Sequence, residues 1–199
     1  MRVTCFIGSL SCGGAQRSLL ILAEHLSRRG HEVTLMTHAN SGQPDFFPIP
    51  EGVSRTYADL NASVDCRWFN PLSQEIRRQA LRKSLLQTTP DIVLGFITIS
   101  NIRILQALEG SGIPVVACER SDPRICPINW RWWFLQWKMY PKAAAVVVQS
   151  EEVLNWAKNK YPEWKTVAIP NPVLPPPENK PPRPPFFRKE FNLVTLGRL

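Results

Sequence analysis

The chain has 199 residues, 44% of them hydrophobic, which is enough apolar material for one sizeable core and too much for a globally disordered polymer. Lys and Arg number 24 against 16 Asp and Glu, a formal charge of +8, which favours anionic partners (nucleotide phosphates, lipid headgroups or nucleic acid) without choosing among them. Five cysteines with no C-x-x-C pair read as reduced thiols, and neither a signal peptide nor an apolar run of membrane-spanning length is apparent, so a cytoplasmic protein is expected.

Apolar, β-prone runs recur along the chain at Val3–Ser9, Glu32–Thr37, Ile92–Ile97, Pro114–Cys118, Ala144–Gln149 and Val167–Ile169, with a weaker one at Ser54–Ala58. Helical stretches alternate with them. Short, near-continuous apolar strands between helices predict a doubly wound α/β domain with a mostly parallel, Rossmann-like sheet covered on both faces. The clearest helix spans about Gly14 to Arg29, with Leu19, Leu22, Ala23 and Leu26 on one side and Gly30 as its C-cap. A second helix is expected over Ser73–Gln87. From Pro170 to Pro185 nine of sixteen residues are proline, which blocks helix and central strand alike and predicts an extended connector. The expected organisation is therefore a domain over 1–173, a proline-rich linker over 174–190, and at 191–199 a lone strand that cannot fold alone and opens a truncated second domain.

The loop after the first strand, Ser9-Leu10-Ser11-Cys12-Gly13-Gly14-Ala15-Gln16-Arg17, opens the first helix. Its glycines admit a ligand close to the backbone, and the free N–H groups and helix dipole favour an anion such as a phosphate. It is neither G-x-G-x-x-G nor a P-loop, which weakens the dinucleotide and NTPase readings. The plainer alternative is a tight strand-to-helix turn.

This loop, together with Arg29-Gly30-His31-Glu32-Val33 at the second strand, resembles the start of family 4 glycosyltransferases, which typically read G-G-A-E-R and R-G-H-E-V. Gly95-Phe96-Ile97-Thr98-Ile99-Ser100-Asn101-Ile102 and Cys118-Glu119-Arg120-Ser121-Asp122-Pro123 are similar to segments of a branch that builds bacterial cell-surface glycans. Ile169-Pro170-Asn171-Pro172-Val173 and Leu196-Gly197-Arg198-Leu199 look like the close of that family's N-terminal domain and the G-R-L that opens its C-terminal one. The resemblance implies the N-terminal half of a two-domain GT-B fold that transfers a sugar from a nucleotide diphosphate donor with retention, without a metal or other cofactor. It assigns Gly13, Gly14 and Arg198 to the donor diphosphate. Arg17, Asn101, Glu119, Arg120 and Asp122 are the expected contacts to a glycan or lipid-linked acceptor. Gln16 replaces the usual acidic residue, and no His follows the fourth strand, where Asn101 stands instead. The basic residue and paired glutamates that grip the donor belong to the family's C-terminal domain, so this stretch by itself is expected to be inactive.

Read from the residues alone, Arg120 would bind an acceptor hydroxyl or pyrophosphate and Asp122 would orient it. The alternative has Asp122 starting a turn before Pro123 and Arg120 pairing with a carboxylate. The stretch Trp130–Tyr140 holds six aromatics and two cations in eleven residues, a helical stripe that suits either a core or a membrane interface. Trp132, Trp133 and Trp137 are the expected contacts with an anionic membrane, helped by Arg77, Arg78, Arg82 and Lys83, which would make the protein peripheral on the inner face of the cytoplasmic membrane. No recognised nucleic-acid-binding motif is present. A non-catalytic nucleotide- or sugar-binding Rossmann-like module is the competing reading.

Overall fold

The computed structural model describes residues 1–38, 45–58, 71–126 and 128–173. Cys66, the 174–190 linker, the expected strand at 191–199 and with it Arg198 lie outside the described residues. Seven strands form one sheet, β1 (Arg2–Phe6), β2 (Glu32–His38), β3 (Val53–Ala58), β4 (Ile92–Phe96), β5 (Val115–Cys118), β6 (Ala145–Val148) and β7 (Thr166–Ala168), in the order β3-β2-β1-β4-β5-β6-β7. All six pairings are parallel, as expected when helices return the chain after each strand. Those helices are α1 (Gly14–Arg28), α2 (Pro71–Gln87), α3 (Thr98–Ala107), α4 (Trp130–Met139), which runs into a 3₁₀ turn at Tyr140–Lys142, and α5 (Glu151–Lys160).

The alternation of β1 shows why both faces are dry. Val3, Cys5 and Ile7 point into a cluster with Leu19, Leu20 and Ala23 of α1, while Phe6 points the other way into a cluster with Leu81 and Leu85 of α2 and Ile102 and Leu105 of α3. Burial pushes the Cys5 and Cys118 thiols up to about 12, so both act as small apolar side chains.

Local signals set the helix ends. α1 stops in a Schellman motif: the His31 N–H donates to the Leu26 carbonyl at 3.1 Å and the Gly30 N–H to Ser27 at 2.9 Å. Gly30 supplies the φ of +82° the motif needs. α5 starts at Ser150, whose hydroxyl accepts from the Val153 N–H, with Glu151 and Glu152 in the first turn. The arginines expected to face a membrane are partly engaged elsewhere. Arg82 donates to the carbonyls of Ala107 (2.7 Å) and Glu109 (3.0 Å), holding the C-terminal end of α3 against α2, while Arg78 pairs with Glu75 at 2.6 Å.

Candidate functional site

β1 leads outward to β2 and β3, whereas β4 leads the other way to β5, β6 and β7, so the chain diverges between the carboxyl ends of β1 and β4. Such a switch point leaves a crevice between the following loops, where ligands of open α/β sheets bind.

On the β1 side lies the glycine loop. Gly13 is the N-cap of α1 and no side chain caps the helix there, which leaves the first-turn N–H groups for water or a ligand. The two glycines differ in what requires them. A Cβ on Gly13 would lie 2.4 Å from Gln16 Oε1, because the Gln16 amide folds back over the loop toward Ser9 and Ser11, whereas a Cβ on Gly14 would meet nothing within 4 Å. Nothing inside the described chain calls for glycine at 14. Arg17 is exposed one residue after Gln16.

On the other side, Ile97 follows β4 as the N-cap of α3 with φ +74° and ψ 137°, a conformation that a β-branched residue adopts only under constraint. It turns the chain into α3, which lies close on β4: a Cβ on Gly95 would lie 2.4 Å from Ile104 Cδ1 and 2.5 Å from Asn101 Oδ1. Asn101 is fully buried and donates to the Cys118 carbonyl and the Tyr140 hydroxyl, both at 3.2 Å. It pins α3 to β5 and to the 3₁₀ turn after α4, and offers no surface to an acceptor.

Glu119 is buried as well. Thr98 Oγ1 donates to one carboxyl oxygen at 2.8 Å, Gln136 Nε2 to the other at 3.4 Å, and the Tyr140 hydroxyl also donates to it. Burial nonetheless holds its pKa above the usual carboxylate range, because neutral side-chain donors replace water incompletely. Asp122 departs from its expected role in a different way. Arg124 Nε and Nη2 hold its carboxylate at 3.0 and 2.6 Å, and its carbonyl accepts from the N–H groups of Ile125 and Cys126. It is a turn residue, tied through Arg124 to Glu152 of α5 at 2.7 Å, and its hydrogen bonds to Arg124 lower its pKa.

Arg120 is the member of this group at the crevice. Its guanidinium lies over the Phe96 ring at 5.1 Å and donates to Asn171 Oδ1 at 2.8 Å, which also accepts from Ser18 of α1 at 3.5 Å. Arg120 Nε is buried with no partner among the described residues. The arrangement joins α1, β5 and the segment after β7 across the switch point. His38, which the sequence patterns did not single out, closes the β2 side. Arg103 Nη1 donates to its Nε2 at 3.1 Å, its ring meets Phe6 edge-on, and Nδ1 has no partner among the described residues. Its only sequence signal was its position at the carboxyl end of a strand.

On α4, Trp130, Trp133, Phe134 and Trp137 are exposed, at 68%, 45%, 48% and 50%. Trp132 instead packs against the core cluster beneath the Arg103 guanidinium, and Trp133 donates its indole N–H to the Tyr161 hydroxyl at 3.1 Å. Of the three tryptophans expected at a membrane, Trp137 stands outermost and Trp132 faces inward. No helix among the described residues is long and apolar enough to cross a membrane. Among the same residues no group of three His, Cys, Asp or Glu is placed to hold a metal ion.

A doubly wound, all-parallel sheet with this crevice defines a Rossmann-like domain of the GT-B type. Solved structures with the same fold include sucrose-phosphate synthase from Thermosynechococcus elongatus (TM-score 0.67, 12% identity, covering 85% of this chain and 47% of that one). HepE of Anabaena in complex with UDP and glucose also shares it (TM-score 0.60, 16% identity, 87% and 45%). The profile of Glycosyltransferase Family 4 matches residues 12–175, and the chain belongs to that family. A curated relative is the GalNAc-α-(1→4)-GalNAc-α-(1→3)-diNAcBac-PP-undecaprenol α-1,4-N-acetyl-D-galactosaminyltransferase of Campylobacter jejuni, 29% identical over 157 residues. The match takes in 77% of this chain and 42% of that protein, so the chain spans less than half the length of this relative.

Proposed function

We propose that the chain is the acceptor-side half of a retaining glycosyltransferase, of the hexosyltransferase type, that moves a sugar from a nucleotide-sugar donor to a lipid-linked glycan without a metal or cofactor. The observation that carries this reading is the glycine loop at the switch point: α1 begins uncapped, beside a glycine that the fold itself does not require. A diphosphate brought to that helix end would accept from the first-turn N–H groups and sit in the favourable end of the helix dipole. Gly13 and Gly14 then face the donor diphosphate, together with Arg198 from beyond the described residues. Arg120, across the crevice, and Arg17 serve the acceptor. Glu119 and Asn101 act behind them, holding β4, β5 and α4 together, and Asp122 shapes the turn. The UDP and glucose bound by HepE and the undecaprenol-diphosphate glycan named for the Campylobacter relative support a sugar nucleotide and a lipid-linked acceptor as the two substrates. Trp130, Phe134 and Trp137, on a helix that also carries Arg131 and Lys138, give the chain a face for an anionic membrane surface, on the cytoplasmic side.

The test is to assay the full-length protein for transfer from UDP-hexoses and UDP-N-acetylhexosamines to diphosphate-linked glycans. Turnover is expected, and Gly14→Val should lower kcat/KM tenfold or more, about 1.4 kcal/mol of transition-state stabilisation, while leaving the unfolding midpoint unchanged. Binding of sugar nucleotide with no transfer would replace this reading by that of a non-catalytic binding module.

A further inference from the structure

A cavity of about 220 Å³ opens between the turn after β5, α4 and α5. It is distinct from the glycine loop, and its volume is below the roughly 300–1,000 Å³ of sites for drug-sized ligands, so it suits a single ring. Its inner end is polar, with the buried groups of Glu119, Thr98 and Gln136, and its walls are aromatic, with Trp133, Trp156 and Tyr161.

The aromatic wall is held before any ligand arrives. Tyr161 stacks on Trp164 with centroids 4.1 Å apart and planes 8° apart, Trp156 meets Tyr161 edge-on at 5.7 Å, and the Trp133 indole N–H is bonded to the Tyr161 hydroxyl. Little ordering is then left for binding to bring about. At the inner end the Glu119 carboxyl accepts from Thr98, Gln136 and Tyr140, and the Gln136 bond, long at 3.4 Å, is the one that yields most easily to a ligand group. A hydroxyl suits that position in either protonation state of the carboxyl because it both donates and accepts. An anion, which only accepts, suits the ionised carboxyl badly. The cation at the site, Lys160, lies over the Trp156 and Tyr161 rings at 5.2 and 5.5 Å and so is already drawn to the aromatic wall. A ligand with a flat C–H face and hydroxyls around its edge matches this combination.

We propose that this cavity is a subsite for one uncharged pyranose ring of the acceptor glycan, stacked on Trp133 with a ring hydroxyl bonded to the Glu119 carboxyl. The identification of the ring as acceptor rests on the transferase reading; the binding itself does not.

Cys126 also lines the cavity and is exposed, and Cys12 in the loop before α1 is exposed outside it. Their alkylation by iodoacetamide, followed peptide by peptide, therefore reports the cavity against an internal reference. Methyl hexopyranosides and methyl N-acetylhexosaminides are expected to slow Cys126 and leave Cys12 unaffected. At about twice the dissociation constant, mass action makes the slowing roughly threefold. Sorbitol, which has the hydroxyls without the ring face, should protect neither thiol, Trp133→Ala should abolish protection, and Trp133→Phe should retain part of it. The proposal is overturned by glycosides that leave Cys126 unprotected, by equal protection from sorbitol, by protection from uridine alone, or by undiminished protection in a folded Trp133→Ala protein. A complete enzyme that transfers sugar while Cys126 stays unprotected rejects the subsite alone; a protected Cys126 in a protein that never turns over rejects the transferase reading alone.

Discussion

His38, half-buried at the carboxyl end of β2, and Glu119, buried just after β5, tilt stability in opposite directions with pH. Burial, with the Arg103 charge second, pushes His38 down to about 4 from 6.5. Between those values the unfolded chain binds more protons than the folded one, so stability is lost as pH falls through that window, by about 3 kcal/mol at full extent. Glu119 is shifted up by burial, so the folded state holds the extra proton and stability falls as pH rises above the ordinary carboxylate range. Urea unfolding at a series of pH values should show His38→Gln flattening the acid-side loss and Glu119→Gln removing the opposing slope. Unchanged profiles in both would contradict the burial of these groups. Ile97 offers a test of backbone strain. Glycine ordinarily costs 0.5–1 kcal/mol relative to alanine, but at φ +74° the order should reverse, with Ile97→Gly more stable than Ile97→Ala by about 1 kcal/mol.

At the scale of elements, α4 separates two kinds of tryptophan. Trp132→Ala removes a side chain packed on the core and should cost about 1–3 kcal/mol. A Trp130→Ala, Trp137→Ala double variant should unfold at nearly the wild-type midpoint yet float less with anionic liposomes. Equal flotation of the two folded proteins would remove the membrane face from this helix. The sequence showed that Trp130–Tyr140 is an amphipathic helix but left open which residues turn inward, because aromatic residues serve core and interface equally well. All seven strands were legible, since buried parallel strands read as unbroken apolar runs. Their exclusively parallel pairing was less so, because register and direction depend on the connections. α3 and α5 went without stated limits, although Ser150-Glu151-Glu152 is an N-cap with an acidic first turn, a signal strong enough to have placed α5. In the site, the glycine loop and Arg120 were recognisable by position after a strand. Asn101 and Glu119 were identified as polar groups at the same edge, but whether such a group faces a crevice or a neighbouring helix is decided by packing from residues 17 to 39 positions away. The turn role of Asp122 was one of the two readings its place before Pro123 offered, and it is fixed locally by Arg124 two residues on.

At the scale of the molecule, the strand order puts the first strand of the chain in the interior of the sheet, between β2 and β4. Its second edge is covered by residues 92–96, and Arg2 is tied to Asp91 by bonds of 2.7 and 2.9 Å. A chain stopped at residue 90 would hold β1 and β2 but leave an apolar edge unpaired. Such a fragment should scatter light and elute as large aggregates, whereas the chain through residue 173 should elute as a discrete species.

The same order has a consequence in time. Ribosomes add about 5–20 residues per second, so β1 emerges roughly 5–20 s before β4 exists to cover it. During that interval one edge of a strand whose residues 3–6 end up buried has no partner, and the wait is set by how fast the residues up to β4 are added.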